Sequence, residues 1–254
     1  MRRLLVLWDV DHTLVELHRL HYELYGEAFE AMTGRAPERL VGMAGRTDRD
    51  GMTEMLSLHG MAATEEQLGV FAEALVAAFR RRAGTVATLG HPVAGAEAVL
   101  SVLHATPGVV QTLLTGNLRA LAVAKLGAFG LDRFIDFEVG AFGWDHAERG
   151  PMVGIARERA GRNYGVAFDA ASTVLLGDTP RDMEAARVGG AVAIGVAAGA
   201  SSPAGLREAG AVAVFEDLSD TAAVVGAILG AGTDARAPGR RPGSGDRVVG
   251  WLEA

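Results

Sequence analysis

The sequence predicts an α/β protein built on a doubly wound parallel sheet, and two observations lead to this prediction. Short apolar runs alternate with helical patterns, which is typical of a parallel sheet covered by helices on both faces. Residues with reactive or hydrogen-bonding side chains directly follow three of these runs. The five runs are Leu4 to Trp8, Val109 to Leu114, Thr173 to Leu176, Val192 to Val196 and Val212 to Phe215.

The interval between the first two runs breaks this alternation because it holds no clear strand pattern. Its apolar residues recur at helical spacing instead. Two such series are Leu17, Leu20, Leu24 and Ala28, and Leu68, Phe71, Leu75 and Phe79. We therefore predict a helical cap at residues 15–90. It interrupts a core made of residues 1–14 and 91–230, which resumes with Pro92 in the first turn of a helix.

Residues 231–254 are rich in glycine, proline and arginine, and such a composition cannot bury much apolar surface. We predict a mobile C-terminal tail there. The apolar residues near its end either dock on the folded body or a partner, or stay loosely held. These residues are Val248, Val249, Trp251 and Leu252.

The overall composition restricts the class of partner. The 254 residues carry a formal net charge of −7, whereas nucleic-acid and anionic-membrane surfaces require excess positive charge. We therefore expect a small-molecule partner. The chain has no cysteine, which excludes disulfides and thiolate chemistry and favours a cytoplasmic location. The apolar run at the N-terminus is too short for a signal peptide or a membrane span.

Asp9 and Asp11 stand one residue apart at the end of the first apolar run. The chain must turn where a buried strand ends, so both carboxylates can approach one site from different directions. A pair of acids in an ordinary strand-to-loop turn is the alternative, because Asp-x-Asp is common in loops.

Thr115, Gly116 and Asn117 follow the second run. The hydroxyl and the amide either cap the next helix or accompany an anion at its N-terminus, where backbone N–H groups lack partners. Capping alone is the simpler of these two interpretations.

Asp178 and Asp182 follow the third run, with Pro180 between them. If Pro180 begins a helix, Asp182 lies in its first turn beside the loop that carries Asp178. An acid in that turn is also favoured by the helix dipole alone.

The carboxyl ends of parallel strands face one crevice, so the three groups of residues should converge there. Together they resemble the motifs of the haloacid dehalogenase superfamily. The Asp-x-Asp-x-Thr motif appears as Asp9 to Thr13, the second motif as Thr115, and the Gly-Asp-x-x-x-Asp motif as Gly177 to Asp182. The resemblance covers roughly residues 4 to 230 and includes a helical cap in the position used by phosphoglycolate phosphatase-like members.

The resemblance implies a phosphatase that hydrolyses a small phosphorylated metabolite through an aspartyl-phosphate intermediate. Asp9 would attack phosphorus, and Asp11 would protonate the leaving oxygen and later deprotonate water. Thr115 and its neighbours Gly116 and Asn117 would bind the phosphoryl oxygens.

The resemblance also implies a magnesium cofactor. The ligands would be Asp9, the backbone carbonyl of Asp11, and Asp178. Asp182 would orient a water molecule on the ion. Ligands that are all oxygen atoms select a hard cation.

The chain departs from the family pattern at two positions. The third motif is normally a lysine that offsets the clustered negative charge, whereas this chain has Arg149 where that lysine is expected. Lys125 is the rival, but it stands about two turns into the helix after Asn117 and is expected to be exposed, roughly 12 Å from the phosphate-facing end. His12 replaces a common glycine; its side chain either contacts substrate or turns outward, and we expect the second.

Arg46 and Arg49 lie in a polar, glycine-led stretch of the predicted cap, close to a helix start. Two arginines that reach over the active site would bind a second anionic group on the substrate. The alternative is that Asp48 is a helix N-cap and that both arginines are solvated.

Two other functions stay open. A phosphomutase resembling β-phosphoglucomutase uses the same core and protects the aspartyl phosphate from water. A binding or regulatory protein that has lost turnover is suggested by the missing lysine. A dehalogenase would not need the full acidic set, and a phosphonate hydrolase of this superfamily uses a cap lysine, which this sequence lacks.

Overall fold

The structure, a computed structural model, describes residues 3–17 and 20–234. In chain order its strands are β1 (Leu4–Trp8), β2 (Val15–Leu17), β3 (Gly90–Pro92), β4 (Val109–Leu113), β5 (Thr173–Gly177), β6 (Val192–Val196) and β7 (Ala213–Phe215). A parallel sheet has the strand order β4-β1-β5-β6-β7, and β2 and β3 form a separate antiparallel pair. The predicted α/β fold with a parallel sheet is confirmed.

Helices connect and cover these strands. Between β2 and β3 lie α1 (Leu20–Thr33), α2 (Asp48–Leu58), α3 (Glu65–Arg82) and α4 (Val86–Leu89), which we call the helical insert. After β3 come α5 (Ala96–Ala105), α6 (Arg119–Gly127), α7 (Arg149–Tyr164), α8 (Pro180–Gly189), α9 (Pro203–Glu208) and α10 (Thr221–Asp234). Pro180 begins α8, as the sequence predicts.

The sheet separates two apolar layers. Val6 and Trp8 of β1 pack with residues of α5, α6 and α10, whereas Leu5 and Leu7 pack with residues of α7 and α8. Successive side chains of a strand point to opposite faces, so helices cover both sides of the sheet. This is the doubly wound arrangement, in which the fully buried β1 lies between β4 and β5.

The helical insert is joined to the core through β2 and β3. The residue pattern predicts no strand here, and that prediction is wrong: Val15 pairs with Pro92, and Leu17 pairs with Gly90. Pro92 therefore lies in β3, and the following helix begins at Ala96. Strands of three residues are too short to show a periodic pattern, which explains why they were missed.

Within the insert, the apolar residues predicted at helical spacing do face the interior. Leu24 of α1 and Phe71 and Leu75 of α3 are buried. The rings of Tyr25 and Phe71 lie 5.6 Å apart, so α1 and α3 share one apolar contact surface.

The two ends of the chain were predicted to be a buried strand and a mobile tail. The N-terminal apolar run forms the interior strand β1, between β4 and β5. At the other end, α10 continues through Asp234, into the predicted tail. The rest of that tail lies outside the described residues, including Val248, Val249, Trp251 and Leu252. Within residues 3–17 and 20–234, no helix combines the length and the apolar character needed to cross a membrane.

Candidate active site

One cavity of about 540 Å³ lies at the carboxyl ends of β1, β4 and β5. Because β1 lies between the other two strands, the segments that follow the three strands are neighbours. The candidate residues that line the cavity are Asp9, Asp11, Arg46, Thr115, Gly116, Asn117, Arg149 and Asp178. Asp182 is fully buried beneath them. The structure thus brings the three strand-end groups together.

Arg149, the first residue of α7, reaches the carboxylate of Asp9. Its Nη2 donates to Asp9 Oδ1 at 2.9 Å and to the carbonyl oxygen of Leu114 at 3.1 Å. The same nitrogen lies 2.6 Å from Asp182 Oδ1. Burial disfavours the charged guanidinium, but Asp182 and Asp9 together raise the pKa of Arg149, so it stays charged. A fixed cation therefore stands at the position predicted for the third motif.

Asp9, Asp178 and Asp182 form a compact acidic group, with one carboxylate oxygen of each within 4.8 Å of the others. Burial, reinforced by Asp9 and Asp182, raises the pKa of Asp178 to about 9. Burial also raises the pKa of Asp9 to about 6. Adjacent buried carboxylates hold protons unless a cation neutralises them, and oxygen donors suit a hard cation. The group fits a divalent metal ion.

Asp182 is held in place by the turn that precedes α8. Its Oδ2 accepts hydrogen bonds from the backbone N–H of Thr179 at 3.0 Å and from the Thr179 hydroxyl at 2.6 Å. The reciprocal bond forms a capping box at the start of the helix. Asp182 therefore caps the N-terminus of α8 through Oδ2, and its Oδ1 faces the acidic group and Arg149.

Lys125 is buried, with only 2% of its side chain exposed, so the expectation of an exposed lysine is wrong. Its Nζ donates to Oδ1 and Oδ2 of Asp11 at 2.7 and 2.8 Å, and to Asn117 Oδ1 at 2.7 Å. The estimated distance along the axis failed because helical side chains point back toward the N-terminus of their helix. Burial acts to raise the pKa of Asp11, but Lys125 lowers it to about 2.

Thr115 and Asn117 do not cap α6, contrary to the simpler interpretation of this motif. The helix begins at Arg119, and its N-cap residue is Leu118. Asn117 instead donates through Nδ2 to Thr115 Oγ1 at 2.9 Å and to Asp11 Oδ2 at 2.7 Å. Both polar side chains therefore belong to the cavity wall.

Asp48 connects the helical insert to this wall. Its backbone N–H donates to the carbonyl oxygen of Gly116 at 2.6 Å. Its Oδ2 accepts from the N–H of Leu118 at 2.6 Å, and its Oδ1 accepts from the hydroxyl of Tyr25 at 2.9 Å. Asp48 is not the N-cap of α2, since Thr47 has that role. This buried carboxylate instead accepts the hydrogen bond of a backbone N–H at the start of α6.

The two arginines predicted to bind substrate lie in different places. Arg46 lines the cavity, and its guanidinium is paired with Glu54. Arg49 is paired with Glu65 and lies over the ring of Trp144, 5.0 Å from its centre. Arg49 is not among the described residues that line the cavity.

Several lining residues belong to no motif and were missed. They are Leu17, His21, Tyr22, Met43, Ala44, Ala200 and Ser201. In the sequence, these residues could have been recognised only by their position next to the cap connections or after a strand. His12, expected to turn outward, is also among the residues that line the cavity. Its φ of 59° is left-handed, which histidine tolerates better than most residues and glycine adopts without strain.

Comparisons with known proteins agree with this architecture. The family model for haloacid dehalogenase-like hydrolases matches residues 6–187. A hydrolase from Pseudomonas syringae has 22% identity and a TM-score of 0.64, with 87% of this chain and 97% of that chain covered. A predicted phosphoglycolate phosphatase from Haemophilus somnus has 15% identity and a TM-score of 0.62, covering 88% and 97%.

A candidate β-phosphoglucomutase from Thermotoga maritima has 20% identity and a TM-score of 0.55, with 90% of this chain and 100% of that chain covered. At these identities the solved structures show a shared fold only. The comparison with curated proteins found no match.

Proposed function

Because the chain belongs to the haloacid dehalogenase-like hydrolase family, we propose that it is a magnesium-dependent phosphatase acting on a small phosphorylated metabolite in the cytoplasm. The observation that carries this proposal is the placement of Asp9. Its carboxylate lines the cavity, contacts the fixed cation Arg149, and borders an acidic group suited to a metal ion.

Asp9 is the nucleophile of the proposed reaction. A carboxylate oxygen bonds to phosphorus as the bond from phosphorus to the ester oxygen breaks, which forms an aspartyl phosphate. Arg149 orients the carboxylate through Oδ1 and offsets negative charge on the transferred group. Thr115, Gly116 and Asn117 line the same cavity and bind the phosphoryl oxygens.

Asp11 transfers the proton in both halves of the reaction. It donates a proton to the leaving oxygen, and it later takes one from the water molecule that attacks the aspartyl phosphate. Lys125 keeps Asp11 ionised before substrate binds, because it lowers the pKa of that carboxyl to about 2. Asp11 therefore takes up a proton from solvent as the substrate binds, and the negative charge of the bound phosphate monoester favours that uptake.

Asp9, the backbone carbonyl of Asp11, and Asp178 would bind the magnesium ion, with Asp182 supporting them. When bound, the ion would offset the charge of the carboxylates and of the phosphate. The raised pKa of Asp178 supports this assignment, since it reflects carboxylates packed together without enough positive charge.

The helical insert is the cap in this proposal, with residues 15–90 as the cap and residues 1–14 and 91–230 as the core. The contacts of Asp48 with Gly116 and Leu118 support it, because they hold the insert against the phosphate-binding segment. Closure would exclude bulk water during phosphoryl transfer. Arg46 would contact the substrate from the cap.

The test is magnesium-dependent release of phosphate from p-nitrophenyl phosphate and from a panel of phosphorylated metabolites. Acid quenching during turnover, followed by mass spectrometry, should find one phosphoryl group on the peptide that contains Asp9. Asp9→Asn should remain folded but should neither release phosphate nor carry a phosphoryl group, because the amide keeps the shape without the nucleophile. Phosphate release by Asp9→Asn at the wild-type rate would refute this mechanism.

A phosphomutase is the second candidate, and the Asp48 contacts favour it as well, since a mutase must keep water from its aspartyl phosphate. A sugar phosphate supplied with its bisphosphate should distinguish the two functions. A mutase would yield the isomeric sugar phosphate, whereas a phosphatase would yield free phosphate. A binding protein without turnover is less well supported, because Arg149 supplies the fixed cation that such a protein would lack.

A further inference from the structure

The lysine of α6 contacts a carboxylate that is not the nucleophile. Lys125 Nζ lies 2.7 and 2.8 Å from the two oxygens of Asp11, and 2.7 Å from Asn117 Oδ1. An ammonium group has three N–H donors, so these three acceptors use its full capacity. Asp11 and Asn117 line the cavity, with the Lys125 side chain buried behind them.

The two buried cations of the site have separate partners. Arg149 contacts Asp9 and Asp182, whereas Lys125 contacts Asp11. We propose that Lys125 is a positioning residue, which fixes the orientation of the Asp11 carboxylate toward the leaving group. This inference rests on the proposed function, in which Asp11 transfers the proton.

The need for such a residue follows from the surroundings of Asp11. Its side chain is 34% exposed and faces the cavity, so little packing limits its rotation. Asn117 Nδ2 is a further partner, at 2.7 Å from Asp11 Oδ2. Lys125 also fixes the direction of that amide, because Asn117 Oδ1 accepts from Nζ while Nδ2 donates to Asp11. One ammonium group therefore orients both the Asp11 carboxylate and the Asn117 amide.

A buried ammonium loses its hydration, and the loss is offset only where the ion pair has good geometry and further hydrogen bonds. Lys125 meets both conditions. The ion pair joins positions 114 residues apart and ties the start of the cavity-forming loop after β1 to α6. The lysine acts on the reaction through Asp11, because it contacts the inner side of the cavity wall.

The leaving group provides a test that separates positioning from general stability. p-Nitrophenolate leaves readily, whereas the more basic phenolate depends more on proton donation. Proton transfer by a positioned side chain contributes about 10²–10⁴-fold. We expect Lys125→Met to lower kcat for phenyl phosphate by about 10- to 100-fold, with a smaller loss for p-nitrophenyl phosphate and less than about a 3-fold change in KM. Equal losses for both esters would overturn the inference.

Lys125→Met leaves Asp11 without its cation, and that variant alone risks misfolding. A double-mutant cycle with Asp11→Asn avoids the problem, because the paired variant buries neither charge. In the Asp11→Asn background, Lys125→Met should change kcat by less than about 2-fold. The same large loss in both backgrounds would show that Lys125 does not act through Asp11. Arg119→Met is the matched control, since it removes an exposed cation from the first turn of α6.

A crystal structure of Lys125→Met provides a readout that needs no turnover. The Asp11 carboxylate should rotate away from its wild-type position, and the Asn117 amide should lose its fixed direction. An unmoved Asp11 would overturn the inference. If the wild-type enzyme released phosphate neither from these esters nor from the metabolite panel, the proposed function would fail, and this structural comparison would still decide what Lys125 does.

Discussion

Arg149 Nη2 lies 2.9 Å from Asp9 Oδ1, although the two residues are 140 positions apart in the chain. The same nitrogen lies 2.6 Å from Asp182 Oδ1. One guanidinium therefore joins α7 to the end of β1 and to the first turn of α8. Arginine suits this position because its charge persists when buried and its donors are held in a rigid fork.

We expect Arg149→Ala to lower kcat for p-nitrophenyl phosphate by about 10²- to 10³-fold, the usual effect of removing a donor that stabilises transition-state charge. Arg149→Lys should restore part of the rate, because a lysine keeps the charge and loses the fork. Arg162→Ala, which removes an exposed arginine from the same helix, is the control. Wild-type kcat for Arg149→Ala would show that the site needs no cation there.

Asp178→Asn should raise the magnesium concentration that gives the half-maximal rate, because the amide removes one charge from the proposed ligand set. An increase of about 10- to 100-fold is expected. Titrating the rate with magnesium measures it. Glu184→Gln, which alters an exposed acid on α8, should leave the titration unchanged. An identical titration for Asp178→Asn would remove this residue from the ligands.

The effect of magnesium on stability should depend on pH. Without metal, the folded-state pKa values of Asp178 and Asp9 are raised from 3.8 to about 9 and about 6. The folded protein then binds more protons than the unfolded chain, so stability falls as pH rises through these values. Metal binding displaces the protons from Asp178 and Asp9 and offsets the loss of stability at high pH. The rise in Tm on adding magnesium should therefore be larger near about pH 9 than near about pH 6. A rise that stays constant with pH would contradict this prediction.

Gly116→Ala should weaken the contact between the helical insert and the core. A Cβ added at Gly116 would overlap the carbonyl oxygen of Arg46, so the loop that carries Asp48 must move. We expect KM to rise about tenfold, which corresponds to the loss of about one hydrogen bond. Gly42→Ala is a matched control, because no atom lies within 4 Å of the added Cβ. An unchanged KM for Gly116→Ala would show that closure does not require this contact.

Arg46→Ala and Arg49→Ala should differ, because only the first removes a side chain that lines the cavity. For the best substrate in the metabolite panel, Arg46→Ala should raise KM by about 3- to 10-fold. Arg49→Ala should leave KM within error, since Arg49 is not among the described residues that line the cavity. Steady-state kinetics on both variants measure this, and equal increases would place Arg49 at the substrate.

Much of the core was predictable because its strands are continuous apolar runs buried on both faces. The predicted ends of the five core strands differ from the observed ends by at most one residue. The acids after β1 and β5 were also predictable, since strand ends in a parallel sheet share one edge. The short strands β2 and β3 were not, because three residues carry no periodic signal.

The missed contacts depend on tertiary geometry. The position of the Lys125 ammonium depends on the direction in which a long side chain leaves its helix, which sequence spacing does not report. Asp48 reaches the N–H of Leu118 only after the insert folds over the core, across a separation of 70 residues. Neither relationship leaves a local pattern in the chain.

The pairing of β2 with β3 has a consequence for how this architecture diversifies. The chain enters and leaves the helical insert through adjacent strands, so the two attachment points lie side by side. A segment with neighbouring ends can be exchanged for one of different length or sequence while the parallel sheet stays intact. Residues that meet the variable part of a substrate can therefore evolve in the insert, while the groups at the strand ends keep the same chemistry.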